Sequence, residues 1–238
     1  EIFPLTVRML PPVDTKNPQA VTAFVEAKFA TMYPGASLQW LKRLCQDMED
    51  LFSGKHPDYG PVDLRYHDLE HTLQATVCIV LLLEGRHGAR VEPHLSPRQF
   101  ELALSAVLLH DAGYLKLRSD NTGTGAKYTF CHVLRSCSFA ASYLPTLGAS
   151  DYEVEAVLGA INCTGPIKEI SRLHFREPVE RIIGCALATS DYLGQMSAAD
   201  YPDELEILFH EFQESDDFFH LPAWRRAFQA VTRPACWR

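Results

Sequence analysis

Ser96-Pro97-Arg98-Gln99-Phe100-Glu101-Leu102-Ala103-Leu104-Ser105-Ala106-Val107-Leu108-Leu109-His110-Asp111 is the stretch on which the fold class turns. Ser96 and Gln99 stand three residues apart, as a capping box requires, and Pro97 falls at the first helical position, where its missing N–H costs nothing. The apolar residues that follow show no strict alternation of the strand kind and read as one core helix. His110 and Asp111 end that run. Drawing two such side chains into a core is costly unless hydrogen bonds or a metal ion compensate.

Outward from this helix the same punctuation recurs. Asn17-Pro18 predicts a helix to about Tyr33, before Pro34-Gly35, and Ser37 predicts the cap of a second that ends near Ser53-Gly54. A third is expected from about Asp68 to Glu84, ended by Gly85. Ser119 to Lys127, with Asn121, Gly123 and Gly125, must be a loop. Further helices are expected at about Thr129 to Leu147, Asp151 to Asn162 with a Ser150…Glu153 box, Pro178 to Met196, Pro202 to Glu214 and Pro222 to Thr232. Without strands, repeats or a linker, residues 1–238 read as one all-α bundle, with residues 1–16 an extended N-terminal segment.

Composition narrows the function classes. Hydrophobic residues make up 47% and charged residues 22%, an ordinary globular balance. A net charge of -8 argues against holding extended nucleic acid through a broad cationic face, while leaving room for a small anionic substrate met by a metal and local cations. Seven cysteines, scattered at 45, 78, 131, 137, 163, 185 and 236 without a CxxC pair, read as reduced core residues of a cytoplasmic protein. The apolar run Ala75 to Leu83 is too short to span a bilayer, so no membrane partner is expected. The opening stretch lacks a basic region followed by an apolar one, so no signal peptide is expected; Glu1 in place of Met leaves room for an upstream domain.

Three segments carry chemistry. His67 and His71 are four apart, the spacing that brings two imidazoles to one helix face. His110-Asp111 closes the core helix, and Asp191 lies in the apolar run Ile182 to Leu193, where an unpaired carboxylate would have its pKa driven upward. Singly, each has an ordinary structural explanation. Together they offer imidazole and carboxylate ligands suited to a divalent metal.

Tyr66-His67-Asp68-Leu69-Glu70-His71 resembles the opening motif of HD-domain phosphohydrolases and the Tyr-His-Asn-x-x-His motif of cyclic nucleotide phosphodiesterases. Leu108-Leu109-His110-Asp111-Ala112-Gly113 resembles the doublet that names that superfamily, and Ala188-Thr189-Ser190-Asp191-Tyr192-Leu193 its distal aspartate helix. The order and the intervals, 71 to 110 and 111 to 191, suit the family, and the resemblance spans about residues 60 to 200.

The resemblance implies an HD-type helical domain in which His71, His110, Asp111 and Asp191 hold a metal ion, Asp111 also bridging to a second ion where one binds. It implies hydrolysis of a phosphate mono- or diester, nucleotide-like in class, by a metal-activated water. His67 would protonate the leaving oxygen; the alternative is a helix-terminal histidine bonded to backbone. His132 would complete a second metal site or touch phosphate, or else serve as a plain capping histidine. Lys116 and Lys127 would meet the substrate phosphate, or else be solvated charge. The ligand types admit iron, manganese, zinc, cobalt, nickel or magnesium, and leave the number of ions and the oligomeric state open.

Two departures stand out. Tyr114 occupies the position where phosphodiesterases carry histidine and some HD nucleotidases glutamate, which weakens the second metal and the cyclic-nucleotide assignment. Lys116 is displaced by one from the usual lysine position, and no residue matches the purine-clamping glutamine. A low-activity regulatory HD module that binds metal and ligand is the alternative, and a helical interaction protein with incidental histidines is a third.

Overall fold

A buried helix needs a polar group to end it and small residues to let neighbours close in, and both needs shape this chain. The structure, a computed structural model, describes residues 13–165, 170–198 and 200–219. Among them are eight α-helices: α1 Pro18–Met32, α2 Leu41–Phe52, α3 Leu69–Gly88, α4 Pro97–Leu109, α5 His132–Tyr143, α6 Asp151–Ile161, α7 Pro178–Met196 and α8 Tyr201–Phe219. No strand occurs among these residues; Tyr59 and Leu117 form one isolated antiparallel bridge. No disulfide joins the six described cysteines, and no helix among the described residues is long and apolar enough to cross a membrane.

The centre is α4, every residue of which from Phe100 to Leu109 is buried. A helix buried all round must be covered on every side. Here α3, α2, α6 and α7 supply the cover, while α1 packs on α3 and α2. The longest helix-to-helix seam joins α3 to α7. Its closeness depends on Gly194, where a Cβ would stand 2.8 Å from the backbone nitrogen of Ala75. The turn Ala112–Tyr114 lies against α5, and α8 lies against the turn Gly125–Tyr128.

Helices with local caps begin where their sequences place them. The Asn17 side chain accepts from Gln19 and Ala20 N–H, and the boxes at Ser96/Gln99 and Ser150/Glu153 close at both ends. The second helix departs from expectation, starting at Leu41 instead of Ser37. Its cap comes from α4: Glu101 Oε1 accepts from Gln39 N–H at 2.5 Å and Trp40 N–H at 2.6 Å. Arg98 holds the other Glu101 oxygen at 2.6 Å and covers the Trp40 ring at 3.5 Å. The third helix runs through Gly85 to Gly88, packed against α1 and α4. The helix predicted from Thr129 begins at His132, because Thr129 is spent in a turn with its hydroxyl on the Ala126 carbonyl at 2.7 Å. The helix predicted to stop at Glu214 continues to Phe219. The one expected at Pro222 to Thr232, and most of the N-terminal segment, lie outside the described residues.

Candidate metal centre

Three helices deliver the candidate ligands. Asp68 caps α3 by accepting from His71 N–H at 3.0 Å, which fixes His71 in the first turn. His110 is the C-cap of α4, and Asp111 opens the turn that follows. Asp191 lies on α7, on the side of the helix that Gly194 brings against α3. Nitrogens of His71 and His110 and an oxygen of Asp191 all fall within 4.8 Å of one another, so this group could hold a metal ion.

His71 Nε2 lies 3.2 Å from Asp111 Oδ2 and 3.3 Å from Asp191 Oδ1; His110 Nε2 lies 3.3 Å and 3.5 Å from the same two atoms. Despite these distances, His71 Nε2, His110 Nε2 and Asp111 Oδ2 make no aligned hydrogen bond, and they are sealed from solvent. Exposure is 0% for His110, 2% for Asp111 and 4% for His71. His110 Nδ1 sits 2.6 Å from the Val107 carbonyl, which only accepts, so Nδ1 carries the hydrogen and Nε2 turns a lone pair inward. With both imidazoles neutral, lone pairs that face carboxylates in a dry space are costly to bury, and either protons or a cation would remove that cost.

The electrostatics agree. Burial alone would lower the imidazole of His71, but Asp111 and Asp191 outweigh it and push its pKa up to about 10. Burial likewise opposes the charge on His110, and Asp111 and Asp191 again raise it. Burial would raise Asp111, yet His110 and His71 hold it well below the usual carboxylate range; Asp191 is lowered against burial by the same two histidines. Imidazole protons would offset these two carboxylates where a divalent ion could otherwise do so.

His67 lies two residues before α3, so the shared helix face expected for His67 and His71 is not how they meet: a bend brings their ring centroids to 5.5 Å. Its Nδ1 contacts Glu211 Oε2 at 2.6 Å, and its Nε2 lies 3.4 Å from the Tyr114 hydroxyl. The Tyr114 ring is stacked between His67 at 4.3 Å and His132 at 4.5 Å. Burial and then Asp111 hold the Tyr114 phenol well above its ordinary pKa, so it is a neutral donor. His132 donates from Nδ1 to the Thr129 carbonyl at 2.6 Å and turns Nε2 toward Asp111 Oδ1 at 3.8 Å. Burial lowers its pKa and keeps that nitrogen a lone-pair donor.

Lys116 and Lys127 are engaged elsewhere. Lys116 bonds Asp63 at 3.0 Å and the Gly123 carbonyl; the buried Lys127 bonds Asp120 at 2.6 Å and the Thr122 carbonyl at 2.6 Å. Both staple the glycine loop. Glu211 of α8 is the residue that motif reasoning missed. Besides His67 it accepts from Arg65 N–H at 3.1 Å and Tyr66 N–H at 2.8 Å, closing the site's entry segment. Its neighbours Ser215 and Asp216 are buried with it while Ile207, Leu208 and Phe209 are only partly so, and no apolar pattern marks such a face.

No family model, curated protein or solved structure matches this chain.

Proposed function

We propose that this chain is a divalent-metal-dependent phosphohydrolase of the HD type, acting on a phosphate mono- or diester of nucleotide-like chemistry. The observation that carries it is the convergence of His71, His110, Asp111 and Asp191 on one buried space, their facing atoms 3.2 to 3.5 Å apart and three of them without a hydrogen bond. These four would hold the first ion, and Asp111 with His132, whose Nε2 lies 3.8 Å from Asp111 Oδ1, would help to hold a second where one binds. When bound, such an ion lowers the pKa of water and offsets charge on the phosphoryl oxygens. His67, its Nδ1–H held by Glu211, would as the imidazolium carry a second proton on Nε2, and that proton would pass to the leaving oxygen and leave the neutral ring. The buried Tyr66 and Tyr114 limit the water that reaches His71 and His67.

Tyr114 favours one competing function, a metal-binding regulatory module with little turnover. Its ring fills the space between His67 and His132, at the position where the family carries a second-metal ligand.

Metal analysis of the purified chain, with hydrolysis of p-nitrophenyl phosphate and bis(p-nitrophenyl) phosphate in added manganese, separates these. The expected result is bound metal and turnover, both abolished in Asp111→Ala. Unchanged metal content in that variant would count against the ligand set, and retained metal without turnover on either ester would favour the regulatory module.

A further inference from the structure

A cavity of about 690 Å³ opens between α2, α5 and the segment around Tyr59, and none of the four proposed metal ligands lines it. Its volume falls in the roughly 300–1,000 Å³ span of small-molecule sites. Phe139 and Tyr143 form one wall, their rings stacked at 5.7 Å and 16°, and Tyr59 meets Phe139 edge-on at 5.9 Å. Such faces take a flat ring.

The charged groups are of opposite kinds, and two of them, Asp50 and Lys55, are already paired with each other at 2.8 Å. Asp47 Oδ2 accepts from the Tyr143 hydroxyl at 2.6 Å and from Arg43 at 3.4 Å, while Asp47 Oδ1 accepts from no described residue. Arg135 donates from Nε to the Gly113 carbonyl at 2.6 Å and from Nη2 to the Leu115 carbonyl at 2.7 Å, leaving Nη1 without a described protein partner. A free carboxylate oxygen selects an N–H donor, and spare guanidinium hydrogens select an anion. An aliphatic chain would leave both unmet, and a polyanion would be repelled by Asp47.

We infer that this cavity is a second ligand site, for a flat, amine-bearing heteroaromatic molecule with one anionic group, its ring on Phe139 and Tyr143, its amine on Asp47 and its anion on Arg135. The site stands whether or not the metal centre hydrolyses phosphate. The floor of the cavity includes Ala112 and Gly113, the residues directly after Asp111.

The probe is adenosine 5′-monophosphate, and the protein is the full chain stripped of metal by chelation, so that phosphate has no ion to bind. Equilibrium dialysis is expected to give one saturable site per chain, unaffected by inorganic phosphate at equal concentration. Asp47→Asn should weaken it about tenfold, as loss of a hydrogen bond to a charged group does, and Phe139→Leu severalfold through lost stacking. Photolabelling of the unaltered chain with 8-azidoadenosine 5′-monophosphate should fall on peptides holding Tyr59, Phe139 or Tyr143, and this arm decides should a variant fail to fold. Absence of saturable binding, full affinity in both variants, or label confined to other peptides would overturn the assignment.

Discussion

Glu211 decides which nitrogen of His67 carries the hydrogen. Its carboxylate can only accept, so at 2.6 Å it fixes N–H on Nδ1 and leaves Nε2 as the nitrogen that the proposed acid role would use. Glu211→Gln separates that role from structure, because a carboxamide oxygen can still accept from Arg65 and Tyr66 N–H while its NH₂ turns toward His67. The imidazole is then driven to the opposite tautomer. With the metal ligands untouched, the variant should retain its ion. Turnover of an alkyl phosphate, whose leaving oxygen needs a proton, should fall about a hundredfold, the low end of what general acids contribute. A p-nitrophenyl ester should be nearly unaffected. Equal losses on both esters, read from kcat, would show that Glu211 and His67 do not serve proton transfer.

At the scale of elements, the approach of the Ala112–Tyr114 turn to α5 is the tightest in the site. A Cβ at Gly113 would stand 2.0 Å from the His132 carbonyl oxygen and 2.8 Å from the Ser136 nitrogen, backbone atoms that cannot step aside. Ser136 ties the same two elements by accepting from Gly113 N–H at 2.8 Å and donating to the His110 carbonyl. Gly113→Ala should therefore cost about 1–3 kcal/mol through overpacking, seen as a lower urea midpoint, and should move His132 away from Asp111. An unaltered midpoint would mean that the turn sits more loosely than described. What was legible beforehand follows the same division between local and distant causes. α1, α4, α6 and α7 start as expected because their caps or first-turn prolines lie in their own sequences. The start of α2 was illegible because its cap, Glu101, comes from 61 or 62 residues away. His71, His110 and Asp191 could be picked out as polar residues in apolar surroundings. Glu211 could not, since α8 buries its polar side, where hydrophobic period carries no signal.

Over the whole molecule, a buried centre that protons hold and an ion could take up would answer to pH differently in the two states. In metal-stripped protein the His71 pKa stands at about 10, above the roughly 6.5 of an unfolded histidine. The stability from its protonated pairing with Asp111 and Asp191 is thus complete below about pH 6.5 and drains away as pH rises toward 10. The carboxylates have the opposite sign: their folded values are depressed, so their share is present above about pH 4 and is lost in acid. A bound ion needs the imidazole deprotonated, so it competes with the His71 proton most strongly at pH 6, and that competition eases with each pH unit toward 10. Each pH unit across that window is worth at most about 1.4 kcal/mol, and each kcal/mol moves Tm by roughly 2–4 °C in a chain of this size. Thermal unfolding of manganese-loaded and chelator-stripped protein should therefore show a Tm gap that is small at pH 6 and several degrees wider at pH 9. A gap that stays constant, or narrows, would mean that no ion displaces the proton of His71.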